Sequence, residues 1–175
     1  MRQSTGIDES RVKARFRAAS PEDASNIVFG LASLAQDLGY EDHFHGTTAS
    51  VLQHGFGDQP QFHVAIVEWG QEFAGLVIYF PYYSTMRGLP GLYIQDLWVA
   101  PAFRQQGLGQ GLLHHAGQAA KASWGAAFMM LAAHNDNLAG QRFYRRLGFN
   151  DQAEDHNMLL EPKAFAVLVK GSNDA

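Results

Sequence analysis

The chain has 175 residues, 46% of them hydrophobic, with 13 basic side chains, 17 acidic ones and no cysteine. That is the length of one domain, able to bury about 70% of the surface its unfolded chain exposes. The lack of cysteine excludes a disulfide scaffold, thiolate-ligated zinc, an iron–sulfur cluster and a cysteine nucleophile. No apolar run approaches the ~20 residues of a spanning helix, and Met1–Arg15 is too polar for a signal sequence. A formal charge of −4 without a basic cluster speaks against nucleic acid as a partner, because phosphate binding needs a concentrated positive face. A soluble, cytoplasmic protein with no membrane partner is expected.

The charge is unevenly divided. Residues 22–96 hold nine acidic side chains and one basic one, Arg87, whereas residues 97–175 hold seven basic and six acidic. Two readings fit the acidic middle: carboxylates that solvate a surface, or a segment that faces a cationic ligand.

Residues 1–12 have no periodicity and read as a flexible leader, leaving 13–175 as a single domain. Lys13–Ala18 alternates as a first strand. Ser20-Pro21-Glu22-Asp23 combines a cap, a proline for the first helical position and acids for the first turn. Ile27, Leu31, Leu34 and Leu38 continue that helix until Gly39 stops it. A shorter helix is predicted from Thr47 to His54, then strands Phe62–Trp69 and Phe73–Phe80 as a hairpin. Pro81–Pro90 reads as irregular and Leu92–Val99 as an apolar strand. Gly107–Trp124 is predicted helical, Ala126–Ala133 a buried strand and Leu138–Leu147 a helix ending at Gly148. Asn157–Leu160 reads as a last strand and Lys163–Val169 as a terminal helix. This order predicts a mixed α/β fold with α+β character: a mostly antiparallel sheet of about six to seven strands flanked by about four helices.

The informative segment is Asp96-Leu97-Trp98-Val99-Ala100-Pro101-Ala102-Phe103-Arg104-Gln105-Gln106-Gly107-Leu108-Gly109-Gln110. A strand ends at a proline and enters a helix through Arg104-x-x-Gly107-x-Gly109. Glycines there let consecutive backbone N–H groups close around an anion, the helix N-terminus adds roughly half a positive charge, and Arg104 can add a full one. A diphosphate suits such a loop. There is no Gly-Lys-Ser/Thr and no complete dinucleotide fingerprint, so neither of those phosphate motifs applies.

With the strand, Pro101 and the amphipathic helix in place, the segment resembles motif A of the GNAT superfamily of N-acetyltransferases. The stretch Asn137-Leu138-Ala139-Gly140-Gln141-Arg142-Phe143-Tyr144 is similar to the motif B of that family. Gly55-Phe56-Gly57-Asp58, Tyr83–Gly88 and Tyr93-Ile94-Gln95-Asp96 resemble the branch that acetylates spermidine, spermine and thialysine. The resemblance covers roughly residues 13–169 and implies a homodimer. It implies acetyl-CoA as co-substrate and no metal. Its contacts would come from Leu97, Trp98 and Val99 at the strand end, from Arg104, Gln105, Gln106, Gly107, Leu108, Gly109 and Gln110, and from Asn137 and Tyr144.

The implied reaction is direct attack of a small cationic metabolite's primary amine on the thioester, with Tyr144 protonating the departing sulfur. Where the family usually has Glu-Asp, this chain has Gln95-Asp96. Glutamine cannot take a proton, so the base becomes Asp96, a water or another group, His134 among them. The branch's Asp and Trp after the hairpin are replaced by Tyr83 and Thr85 or Met86, which favours an amine other than a polyamine. His43-x-His45 and His114-His115 lack metal-ligand spacing. The alternative reading is a non-catalytic acyl-CoA-binding sensor, and Gln95 is its support.

Overall fold

The structure, a computed structural model, describes residues 13–152 and 160–170. The leader expected over residues 1–12 lies outside them, as does the strand expected over Asn157–Leu160 except for Leu160, which is in no strand. The chain divides into two compact units, one ending at Gly140 and the other starting at Gln141.

The first unit holds strands β1 (Ala14–Ala18), β2 (His63–Trp69), β3 (Glu72–Ser84), β4 (Leu89–Val99) and β5 (Met129–Leu131), and helices α1 (Ala24–Asp37), α2 (Thr48–Phe56) and α3 (Leu108–Trp124). The strands form one sheet in sequence order, antiparallel from β1 to β4 and parallel between β4 and β5. A mixed, mostly antiparallel sheet was expected. Five strands are present among the described residues, fewer than the six to seven predicted.

Alternation along the strands sends Val64, Ile66, Leu76 and Ile78 to one face, where they pack with Ala24 and Ile27 of α1 and Val51 of α2. Their neighbours Ala65, Val67 and Val77 are equally buried on the other face, which α3 covers with Leu108, Leu112, Leu113, Ala116 and Ala120. The close approach of α3 to β1 depends on Gly111, since a Cβ there would lie 2.2 Å from the Phe16 ring.

The Pro81–Pro90 stretch is a correction. It is ordered as a continuation of the β3–β4 hairpin, with Pro81 opposite Leu92 and Tyr83 opposite Pro90. Proline harms a sheet only where its missing N–H is needed. Pro81 lies beyond Tyr79, the last β3 residue paired with β2, and Pro90 precedes Leu92, the first β4 residue paired with β5. Pro81 therefore sits where its strand has a neighbour on one side only, and Pro90 meets the chain before β5 through its carbonyl, which accepts the Ala127 N–H at 2.9 Å. The last strand of the first unit is shorter than expected, Met129–Leu131 in place of Ala126–Ala133.

The start of α1 is fixed by a buried carboxylate. Asp23 accepts the Ser20 backbone N–H at 2.8 Å and two guanidinium bonds from Arg17 at 2.7 and 2.8 Å, while Arg17 also reaches Glu68. The Arg17 bonds hold the Asp23 carboxyl down at about 2. The second unit contains the remainder of α4 (Leu138–Arg146) and α5 (Pro162–Lys170). Gly148, at φ 94°, ends α4 as its spacing predicted, and the Phe149 N–H bonds the Tyr144 carbonyl at 3.1 Å. No helix of the described residues is long and apolar enough to cross a membrane.

Candidate active site

Strand β4 organises the site because its two halves have different neighbours. From Leu92 to Ile94 it is paired on both sides, Ile94 with Tyr79 of β3 and Leu131 of β5. Beyond Ile94 it has no β5 partner, and its register with β3 slips: Ile94 faces Tyr79 and Asp96 faces Ile78, so Gln95 is an extra, bulged residue. A bulge bends its strand and ends regular pairing, which accounts for the short β5. The consequence is an open strand edge over Gln95–Val99 next to the loop that enters α3.

Asp96 and Gln95 separate across this bulge. Gln95 is exposed. Asp96 lines a recess of about 370 Å³ walled by Leu31 and Leu34 of α1, by Leu38 just after it, by Phe44, and by Tyr40 and His134. The Tyr40 and His134 rings stack at 4.8 Å. Burial in this largely apolar surround pushes the Asp96 carboxyl up to about 6. A carboxylate so placed can hold a cation and exchange a proton with it near neutral pH. The size and the few convergent polar groups are those of a small-molecule site.

The loop after β4 is shaped by its backbone. Gln105 has φ 65° and Gly107 has φ 77°, two left-handed residues within three positions, immediately before the 17 residues of α3. Left-handed residues interleaved with right-handed ones turn successive N–H groups to one side, a concavity that receives anions, and the helix N-terminus adds to its field. A Cβ at Gly107 would meet nothing within 4 Å, so the glycine serves the backbone conformation and leaves open space beside it. This cradle fits the diphosphate of a CoA thioester.

The expected cofactor residues therefore divide. Gln105, Gln106 and Gln110 are exposed, and Gly107 and Gly109 leave the loop backbone accessible. Leu108 and Trp98, each 3% exposed, turn into the core, so any contact from them is through the backbone. The Trp98 ring stacks on Phe73 at 6.0 Å and donates its indole N–H to Asp37 at 3.2 Å. Leu97 and Val99 are half-buried on the open half of β4. Arg104 was expected to lend its charge to the anion. Its guanidinium instead pairs with Asp37, and its Nε–H bonds the Val99 carbonyl at 2.9 Å. Asn137 caps α4, its Oδ1 accepting the Gly140 N–H at 2.9 Å.

In the second unit, Tyr144 is half-buried on α4 between Phe143 at 5.2 Å and Phe149 at 5.6 Å, both edge-on. Among the described residues no three His, Cys, Asp or Glu side chains converge on a common point. The sequence reading missed Asp37 and the walls supplied by α1, Tyr40 and Phe44. The α1 leucines carry the same spacing whether they face a core or a recess, and only Tyr40, next to the left-handed Gly39, offered a local signal.

Comparison with known proteins places this geometry. The acetyltransferase (GNAT) family model matches residues 30–149. The thialysine N-epsilon-acetyltransferase of Sus scrofa is 27% identical over 164 residues, covering 87% of this chain and 95% of its own, and that of Bos taurus is 27% identical over 147 residues, covering 79% and 85%. An integron cassette protein from the mobile metagenome of V. cholerae superposes with a TM-score of 0.73 at 15% identity over 90% of this chain and 98% of its own. An aminoglycoside acetyltransferase from an uncultured soil metagenomic sample, crystallised with sisomicin, superposes with a TM-score of 0.69 at 15% identity over 85% and 97%. The chain belongs to the acetyltransferase (GNAT) family and is an N-acetyltransferase, resembling the diamine acetyltransferase branch.

Proposed function

We propose that the protein transfers the acetyl group of acetyl-CoA to the primary amine of a small cationic metabolite by direct attack. The observation that carries this reading is the sequence of features along one strand: a half-buried carboxylate at Asp96, an open strand edge to Val99, and a left-handed turn at Gln105–Gly107. In this reading a cation site and a diphosphate site share one continuous stretch of backbone. The relatives' names agree in class, since thialysine and sisomicin are both amines.

Acetyl-CoA supplies the activated acetyl group and a thiol that leaves. The residues of the chain do the rest. Backbone N–H groups on the open half of β4 would receive the negative charge that develops on the carbonyl oxygen. An amine with a pKa near 10 is protonated at neutral pH and must lose that proton before it attacks. Burial raises the carboxyl of Asp96 and lowers an ammonium held against it, so the two approach each other and the proton can pass. Tyr144 would protonate the departing sulfur. No enzyme nucleophile is required, in keeping with a chain that lacks cysteine. We extend the reading to a cytoplasmic homodimer, which sedimentation would test.

A thiol-release assay with acetyl-CoA and a panel of amines tests the function. Turnover with at least one amine is expected. CoA binding without turnover of any amine would favour the sensor.

A further inference from the structure

The recess over Asp96 is assembled from two parts of the chain, α1 with the segment that follows it, and His134 beyond β5. Two rings join these parts. Tyr40 stacks on His134 with centroids 4.8 Å apart and planes 28° from parallel, an arrangement in which aromatic rings attract beyond the area they bury. With Tyr40 40% exposed, the stack stands at the rim of the recess.

The position of Tyr40 is set by the way α1 ends. Gly39 has φ 71°, and this left-handed turn brings the Gly39 N–H to the Gln36 carbonyl at 3.1 Å and the Tyr40 N–H to the Ala35 carbonyl at 2.8 Å. The two bonds together make a helix stop of the Schellman type. Both belong to the main chain, so the backbone that presents the ring stays fixed when the side chain is changed.

Resting on the amine reading above, we infer that Tyr40 determines acceptor specificity: clasped on His134, its ring narrows the recess and limits the bulk of the amine that reaches Asp96. A recess of about 370 Å³ is near the lower end of small-molecule sites, so the space of one ring decides what fits. A slim amine passes the stack and gains contact with it. A bulky amine has to displace it.

The test measures kcat/KM on the full chain at saturating acetyl-CoA for propylamine and for cyclohexylmethylamine, a slim and a bulky primary amine, with other unbranched and ring-bearing amines alongside. Tyr40→Ala removes the ring and is expected to raise the ratio of bulky to slim about tenfold or more, while Tyr40→Trp, with a larger ring, should lower it about threefold. Tyr40→Phe keeps the ring and its stack and should bring the ratio back to within about twofold of wild type. A ratio that moves in neither the alanine nor the tryptophan variant would overturn the inference while leaving acetyl transfer intact. So would an equal loss of both amines in Tyr40→Ala, the mark of a purely structural residue. If no amine of the panel is acetylated by the wild type, the functional reading falls and the inference with it. Should the alanine variant not fold, the opposite shift in Tyr40→Trp and its reversal in Tyr40→Phe decide.

Discussion

The recess over Asp96 and the loop from Arg104 to Gly109 hang on the same strand, β4, yet under the proposed function they would recognise by opposite means. In the loop the groups on offer are backbone N–H, shaped by the left-handed Gln105 and Gly107, while Leu108 and Trp98 turn inward and Arg104 is paired with Asp37. In the recess the groups on offer are side chains brought together from α1, the Leu38–Phe44 segment, β4 and the chain after β5. A backbone site tolerates altered side chains and fails when its dihedral angles are disturbed. A side-chain site tolerates neither a lost charge nor an altered wall, and its backbone angles are ordinary. The first arrangement suits a co-substrate with an invariant diphosphate, the second an acceptor that can differ from one relative to the next.

The largest break in that comparison should come from Asp96→Asn, which keeps shape and removes charge. We expect kcat/KM for the amine to fall about 100-fold while the KM for acetyl-CoA stays within about twofold. In the unmodified enzyme, activity should rise with pH through about 6 as the Asp96 carboxyl ionises, and the variant should lose that limb. Stability moves the other way. The folded pKa lies above the unfolded one, so the folded state keeps its proton longer, and stability falls as pH rises from about 4 through about 6. Above that range, the buried charge costs roughly 2–3 kcal/mol. Asp96→Asn should therefore melt higher than wild type at pH 8 and near wild type at pH 4. Equal melting at pH 8 would mean that the carboxylate is compensated.

Tyr144→Phe removes one hydroxyl from α4 and is expected to lower kcat about tenfold to 100-fold with both KM values unchanged. A maximal rate within a factor of two of wild type would show that the departing sulfur takes its proton from elsewhere. The loop makes the contrasting case. Gly107→Val forces a β-branched residue into φ 77°, a conformation that costs ordinary residues 1–2 kcal/mol and branched ones more. The KM for acetyl-CoA should rise about tenfold. Gln106→Ala, at an exposed position of the same loop, should change it less than twofold. A reversal of those two results would make the loop a side-chain site after all.

The same contrast explains what could be read from the sequence. The loop was legible because its parts are contiguous: strand, Pro101, Arg104, two glycines and helix follow within a dozen residues, and each enforces a local conformation. Gly148 was legible for the same reason, as the stop of a helix. The recess was not. Leu34 and Leu38 have the 3.6-residue spacing of any amphipathic helix, and what they face depends on the bulge at Gln95, set by the β3–β4 register. That register is a long-range pairing without a sequence marker. The acidic middle segment left two readings open for the same reason, and five of its nine carboxylates are exposed, as the solvated-surface reading has it. Arg104 was located correctly in the loop, but its side chain is taken by Asp37, more than 60 positions away.

Asp37 is where the two sites touch, and its substitution should give the smallest effect and the sharpest contrast. One oxygen, Oδ2, accepts both the Trp98 indole N–H at 3.2 Å and the Arg104 guanidinium, and Asp37 is the last residue of the helix whose Leu31 and Leu34 wall the recess. Asp37→Asn keeps an acceptor for Trp98 and removes the charge held against Arg104. The two side chains are 36% and 46% exposed, so solvent screens the pair and its loss should be modest. We expect the KM for acetyl-CoA to rise about threefold to fivefold, with kcat and the amine KM nearly constant. Arg104→Ala should raise the same KM, and in the double variant the two effects should not add, because each disrupts one clamp on the loop. If they add, Arg104 reaches the diphosphate independently of Asp37, and the loop recognises through a side chain as well as through its backbone.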